Sequence, residues 1–79
     1  MNGMKYIIFD NGLFDEPFIF SAASDHAEIA RTFNLKRTNI LSAGFVTIDD
    51  NGLYAYGCST GLNINSRVED TQIIKKMLE

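Results

Sequence analysis

Ten acidic, seven basic and one histidine side chain in 79 residues give a formal net charge of −3. A chain this short buries only about 60% of the surface its unfolded form exposes, so residues 1–79 are read as one small domain with one core. An apolar share of 46% against 22% charged excludes a disordered chain, and a single cysteine with a single histidine excludes a disulfide framework and the usual zinc clusters.

The acidic balance argues against nonspecific nucleic-acid binding. No apolar run approaches the roughly 20 residues that cross a bilayer. The opening Met1-Asn2-Gly3-Met4-Lys5 lacks the basic, apolar and small-residue regions of a secretion leader, so a cytoplasmic location is expected. No residue set points to a cofactor.

In chain order, Met4 to Phe9 is an apolar run rich in Ile, Tyr and Phe, followed by Asp10-Asn11-Gly12-Leu13 and a second apolar run to Phe20. Asn-Gly between β-branched and aromatic residues signals a hairpin, because both residues tolerate positive φ. A type I turn closed by a left-handed glycine would set Ile8 beside Phe14 and Met4 beside Phe18. Ile7, Phe9, Leu13 and Ile19 then fall on the opposite face, so both faces of this hairpin are partly apolar. Pro17 has no N–H to give a ladder, which predicts an edge strand or a bulge.

A first helix follows, with Ser24 or Asp25 as its cap, Ala27, Ala30 and Phe33 on one face, and Asn34 as a left-handed stop. Gly44 to Ile48 then leads into Asp49-Asp50-Asn51-Gly52-Leu53 and Tyr54-Ala55-Tyr56, the second hairpin. A glycine-bulge turn there pairs Ile48 with Tyr54 and Val46 with Tyr56, collecting one apolar face with Cys58 next on it. Ser66-Arg67-Val68-Glu69 fits a capping box for a last helix, with Asp70 in its first turn and Lys75 and Lys76 in its last. Ile74, Met77 and Leu78 form its inner stripe, with Ile73 at the edge.

The order ββαββα predicts an α+β fold, a four-stranded antiparallel sheet with two helices on one face. The expected core is Ile8, Phe14, Phe18, Ala30, Phe33, Val46, Ile48, Tyr54, Tyr56, Ile74, Met77 and Leu78. The connection from Phe33 to Gly44 is long enough to place the second hairpin on either side of the first.

Several local patterns resemble chemistry. Gly57-Cys58-Ser59-Thr60-Gly61 matches the nucleophile-elbow spelling, but an elbow needs a following helix and a downstream histidine, and His26 lies upstream. Tyr6 to Gly12 is similar to the strand-end aspartate motif of the haloacid-dehalogenase phosphatases, yet Gly12 stands where that motif needs a second aspartate. Cys58 and His26 lack a third orienting group for a thiolate–imidazole pair. Asp49, Asp50 and Asn51 offer a turn rather than the alternating oxygen ligands of a calcium loop. Arg31, Lys36 and Arg37 suit the carbonyl end of the first helix, with phosphate contact as the alternative. No nucleophile–base pair or metal set survives, so an enzyme is not expected.

Ser59 to Arg67 packs six polar side chains into nine residues and runs into a helix N-terminus, where anions are favoured. Ser59, Asn63, Ser66 and Arg67 are therefore the candidate residues for a small anionic ligand or nucleotide, Arg67 as a bidentate donor. The alternative is that Ser66 and Glu69 consume the cap and Arg67 pairs with Asp70 on the surface.

Ser42-Ala43-Gly44-Phe45-Val46, Tyr56-Gly57-Cys58-Ser59, Leu62-Asn63 and Ser66 to Asp70, with the opening Tyr6 to Phe14, resemble a pattern in short uncharacterised bacterial and phage reading frames. The resemblance implies a microbial or prophage-encoded accessory protein and transfers no catalytic residue. Function is read instead from surplus apolar side chains. Ile7, Phe9, Leu13, Ile19 and Phe45 have no obvious helix to cover them, which predicts protein–protein interaction, first as a homodimer through a sheet face or edge.

Overall fold

The computed structural model describes residues 3–79; Met1 and Asn2, which open the segment read for a leader, lie outside the described residues. Six strands and two helices follow one another as β1 (Met4–Asp10), β2 (Asp15–Phe20), α1 (His26–Thr32), a 3-10 turn (Arg37–Asn39), β3 (Ile40–Asp49), β4 (Gly52–Tyr56), β5 (Cys58–Ser59), β6 (Ile64–Asn65) and α2 (Asp70–Leu78). Four strands make an antiparallel sheet in the order β2-β1-β3-β4, and β5 pairs with β6 separately. The second hairpin thus adds to the first on the β1 side, and β2 is an edge strand, as Pro17 requires.

This is the expected α+β architecture, but its helices take opposite faces rather than sharing one. Ile7 meets Phe20, Ala30, Ile40, Ala43 and Ile64 on the α1 side. Tyr6 and Ile8 meet Val46, Ala55 and Ile74 on the α2 side. The reason lies in β1, a central strand whose consecutive residues Tyr6, Ile7 and Ile8 are all fully buried. Successive side chains point to opposite faces, so such a run must be covered twice. Each large side chain sealed in this way contributes about 1.5–3 kcal/mol. One helix per face does this with the least chain.

Both hairpins differ from the expected register. In the first, Asp10 pairs with Asp15 and Ile8 with Pro17, leaving residues 11–14 as the loop. Asn11 closes that loop: its Oδ1 accepts the N–H groups of Leu13 (2.8 Å) and Phe14 (3.0 Å). Phe14 therefore stays in the loop and is exposed. In the second hairpin, Asp49 pairs with Gly52, Val46 with Ala55 and Thr47 with Tyr54. Gly52, at φ 106°, supplies the left-handed backbone that closes it.

The shift puts the small side chain of Ala55 under α2 and turns Tyr54 and Tyr56 to the other face, where they stack beside Phe45 and remain exposed. Thr71 of α2 accepts the Ala55 N–H on its Oγ1 at 3.0 Å, tying helix to strand. Of the expected core, Ile8, Ala30, Val46 and Ile74 are buried and Phe18 is half-buried, whereas Phe14, Phe33, Ile48, Tyr54, Tyr56, Met77 and Leu78 are exposed.

Asn34 ends α1 in the left-handed conformation at φ 58°, as expected. Helix α2 begins three residues later than the Ser66–Glu69 box places it: Glu69 is the N-cap residue and makes no side-chain capping hydrogen bond. Asp70 reaches back to the Arg67 N–H at 2.8 Å, and the Ser66 N–H donates instead to the Gly57 carbonyl.

Candidate functional site

The four ligand candidates do not converge. Ser59 is buried, and its hydroxyl accepts the Leu62 N–H at 3.1 Å within the β5–β6 turn. Asn63 holds the left-handed position of the same turn, at φ 57°. Ser66 and Arg67 do line a cavity of about 290 Å³ with Tyr54 and Tyr56. The Arg67 guanidinium, however, is ringed by carboxylates: Asp70 at 3.0 Å, Glu69 at 3.7 Å and Asp15 at 3.9 Å. Arg67 thus balances acids of its own chain, which leaves it a weak centre for an added anion. Its partner Asp70 is not a surface residue but fully buried, where it also accepts the Tyr6 hydroxyl.

His26, in the first turn of α1, is buried, edge-on to Phe20 and Phe45. Its Nε2 lies 2.8 Å from the Gly44 carbonyl oxygen, which can only accept, so Nε2 carries the proton. Burial pushes the imidazole pKa below 6.5; the Lys5 ammonium acts the same way, while the Gly44 carbonyl and Asp25 oppose it.

A base with a depressed folded pKa is neutral in both states above 6.5 and is protonated first in the unfolded chain below it. Stability from neutral His26 is therefore complete above that pH and declines as pH falls from there toward the folded pKa. The urea midpoint of the protein should drop between about pH 7.5 and about pH 5.5, and His26→Gln, which keeps an N–H donor, should drop less. Equal drops would show that His26 is not the titrating group. His26 Nε2 is engaged by the Gly44 carbonyl, and among the described residues no three His, Cys, Asp or Glu side chains could hold a metal. No helix among them is long and apolar enough to cross a membrane.

The interface candidates divide by exposure. Ile7 is fully buried under α1 and is unavailable to any partner, which corrects its assignment. Phe9, Ile19 and Phe45 are half-buried, Ile19 among the residues beneath α2. Leu13 stands 90% exposed at the tip of the β1–β2 loop.

Beside that loop lies an apolar concavity of about 560 Å³, between the β2 edge and α2. Phe14, Pro17, Ile73 and Met77 line it, with Asp15 and Glu16 on its strand rim and Lys76 on its helix rim. Of the lining residues, Phe14 is 59% and Met77 45% exposed, and their chain neighbours Leu13 and Leu78 are exposed as well. All the ion pairs among the described residues belong to Arg67, so Lys76 has no carboxylate within 4 Å in its own chain. The sequence named Leu13 for this surface but counted Phe14, Met77 and Leu78 as core. The signal that could have separated them is Asn11, whose loop-closing side chain keeps Phe14 out of the strand.

These features define the molecule as an α+β domain with one helix on each face of a four-stranded sheet and an open apolar groove beside an edge strand. Comparison with protein-family models, curated proteins and solved structures finds no match.

Proposed function

We propose that the chain is a cytoplasmic, non-enzymatic interaction module that self-associates through the groove between β2 and α2. The observation that carries this reading is the apolar groove lined by Phe14, Pro17, Ile73 and Met77, in which Phe14 and Met77 stand largely in water, each next in the chain to a further exposed leucine, Leu13 or Leu78. Exposed apolar surface of this kind marks an interface, and Phe and Met are enriched in interface cores.

The rim favours a second copy as the occupant. A two-fold axis running along the groove brings the same patch of both chains together with the strand rim of one facing the helix rim of the other. Lys76 of each protomer then meets Asp15 and Glu16 of its partner, supplying the carboxylate missing within the chain. Strand-edge pairing is the poorer route. Pro17 interrupts the N–H row of β2, and Thr71 already takes the Ala55 N–H of β4. A domain this small also gains burial by pairing.

Light scattering across a concentration series should find a dimer for the native chain. Phe14→Glu, at an exposed loop position, should give a monomer with a nearly unchanged melting temperature. A native chain that is monomeric at high micromolar concentration, or a Phe14→Glu dimer of undiminished affinity, would overturn the proposal.

A further inference from the structure

We propose that Asn51, in the β3–β4 turn, is a site of spontaneous deamidation to isoaspartate, and that the fold protects its counterpart Asn11 in the β1–β2 turn. Both asparagines precede glycine, which has no side chain to hinder attack by its own backbone nitrogen. The Gly52 nitrogen gives its proton to a solvent base and bonds to Asn51 Cγ. The Cγ–Nδ2 bond breaks, ammonia leaves, and a succinimide remains. Water opens that ring at one carbonyl to give aspartate or at the other to give isoaspartate. The sum is asparagine plus water giving acid plus ammonia, with no change of oxidation state.

The two turns differ in how their reacting atoms are held. Asn51 is exposed, and among the described residues its side chain takes part in no hydrogen bond; only its backbone N–H is engaged, with Asp49 Oδ1 at 2.8 Å. Side-chain carbons built at Gly52 and at Gly12 would each meet nothing within 4 Å, so a ring has room to form in either turn, and Gly52 is paired with Asp49 across its turn. The difference lies in the asparagine side chain, which in the first turn is held at both ends. Asn11 Oδ1 accepts two backbone N–H groups, its Nδ2 donates to Glu16 at 2.8 Å, and the Gly12 nitrogen, the would-be nucleophile, donates to Asp10 Oδ1 at 2.9 Å. Those bonds must break before Cγ and nitrogen can meet. Reaction at Asn51 adds a carboxylate beside Asp49 and Asp50, and in the isoaspartate form one extra backbone carbon in a turn that sets the β3–β4 register.

The test is peptide mass spectrometry, with chromatographic separation of isoaspartate from aspartate, on folded protein aged in mildly alkaline buffer. Asn51 should react at least about tenfold faster than Asn11, equivalent to about 1.4 kcal/mol in the barrier. In denaturing urea the two rates should converge. Asp10→Ala, at an exposed position, should speed reaction at Asn11 and leave Asn51 unchanged. Equal rates in the folded protein, an unreactive Asn51 while the urea sample reacts, or an Asp10→Ala variant with no gain at Asn11 would overturn the proposal.

Discussion

Replacing Asp70 by alanine should lower the free energy of unfolding by about 3–5 kcal/mol, the cost of breaking a buried charged pair from one side. Asp70 is fully buried and serves three donors: the Tyr6 hydroxyl, the Arg67 backbone N–H at 2.8 Å and the Arg67 Nε–H at 3.0 Å. Its loss would strand the hydroxyl in the core, leave Arg67 short of its nearest carboxylate and release the Arg67 N–H in the turn that leads into α2. The Tyr6 hydroxyl reports the same environment: burial first, and then its bond to the Asp70 carboxylate, hold its pKa well above the ordinary tyrosine range. Small domains have about 5–15 kcal/mol in all, so the variant should stand near its unfolding midpoint at room temperature. Tyr6→Phe, which removes one hydroxyl but keeps the ring, should lose only about 1–2 kcal/mol. Urea denaturation followed by circular dichroism measures both, and an Asp70→Ala loss no larger than that of Tyr6→Phe would contradict this account.

The second large effect is expected at Gly44→Ala. A side-chain carbon on Gly44 would collide with the Tyr56 carbonyl oxygen and stand 3.3 Å from the Tyr56 carbonyl carbon. The obstacle is backbone and cannot rotate aside, so the β3–β4 junction must open. Overpacking usually costs about 1–3 kcal/mol, and this site should reach or pass the upper figure. Gly44 also supplies the carbonyl that holds His26, so displacement of β3 should loosen α1 as well. Gly61→Ala is the control. Its new methyl would meet only the Asp25 carboxylate at 3.4 Å and the Ala27 methyl at 3.5 Å, both ordinary contacts. Thermal melts of the two variants should separate clearly; coincident melts would show that the close approach at Gly44 relaxes freely.

Much of the interior follows from one feature of β1. Ile7 and Ile8 are adjacent and both apolar, which on a strand means two buried faces. That pattern is legible, but two helices sharing one face leave the other face awaiting a partner, which is the expectation from the sequence; the second possibility is a sheet covered on both sides. The structure takes the second for β1, and Ile7 accordingly leaves the list of surface residues. Exposed apolar side chains are found elsewhere, at Phe14 and Met77 in the groove beside α2 and at the neighbouring Leu13 and Leu78. The interaction surface proposed above is therefore placed at that groove rather than on the sheet face.

Local chemistry by itself determined the two turns, the left-handed stop at Asn34, the edge position of β2 and the order of elements. Each depends on a residue's own backbone range or on a missing N–H, and tertiary contacts only confirm such preferences. Register was decided elsewhere. A shift of pairing exchanges the faces of every residue in a strand, and the choice rests on which side chains fit beneath a helix. Ala55 fits under α2 where a tyrosine would not, so Tyr54 and Tyr56 turn to the open face. The helix sides, the burial of His26 and the Tyr6–Asp70 bond across 64 residues likewise exist only once distant segments meet. They are properties of packing between elements, where volume and the need to pair buried polar groups outweigh the preferences of any single stretch of chain.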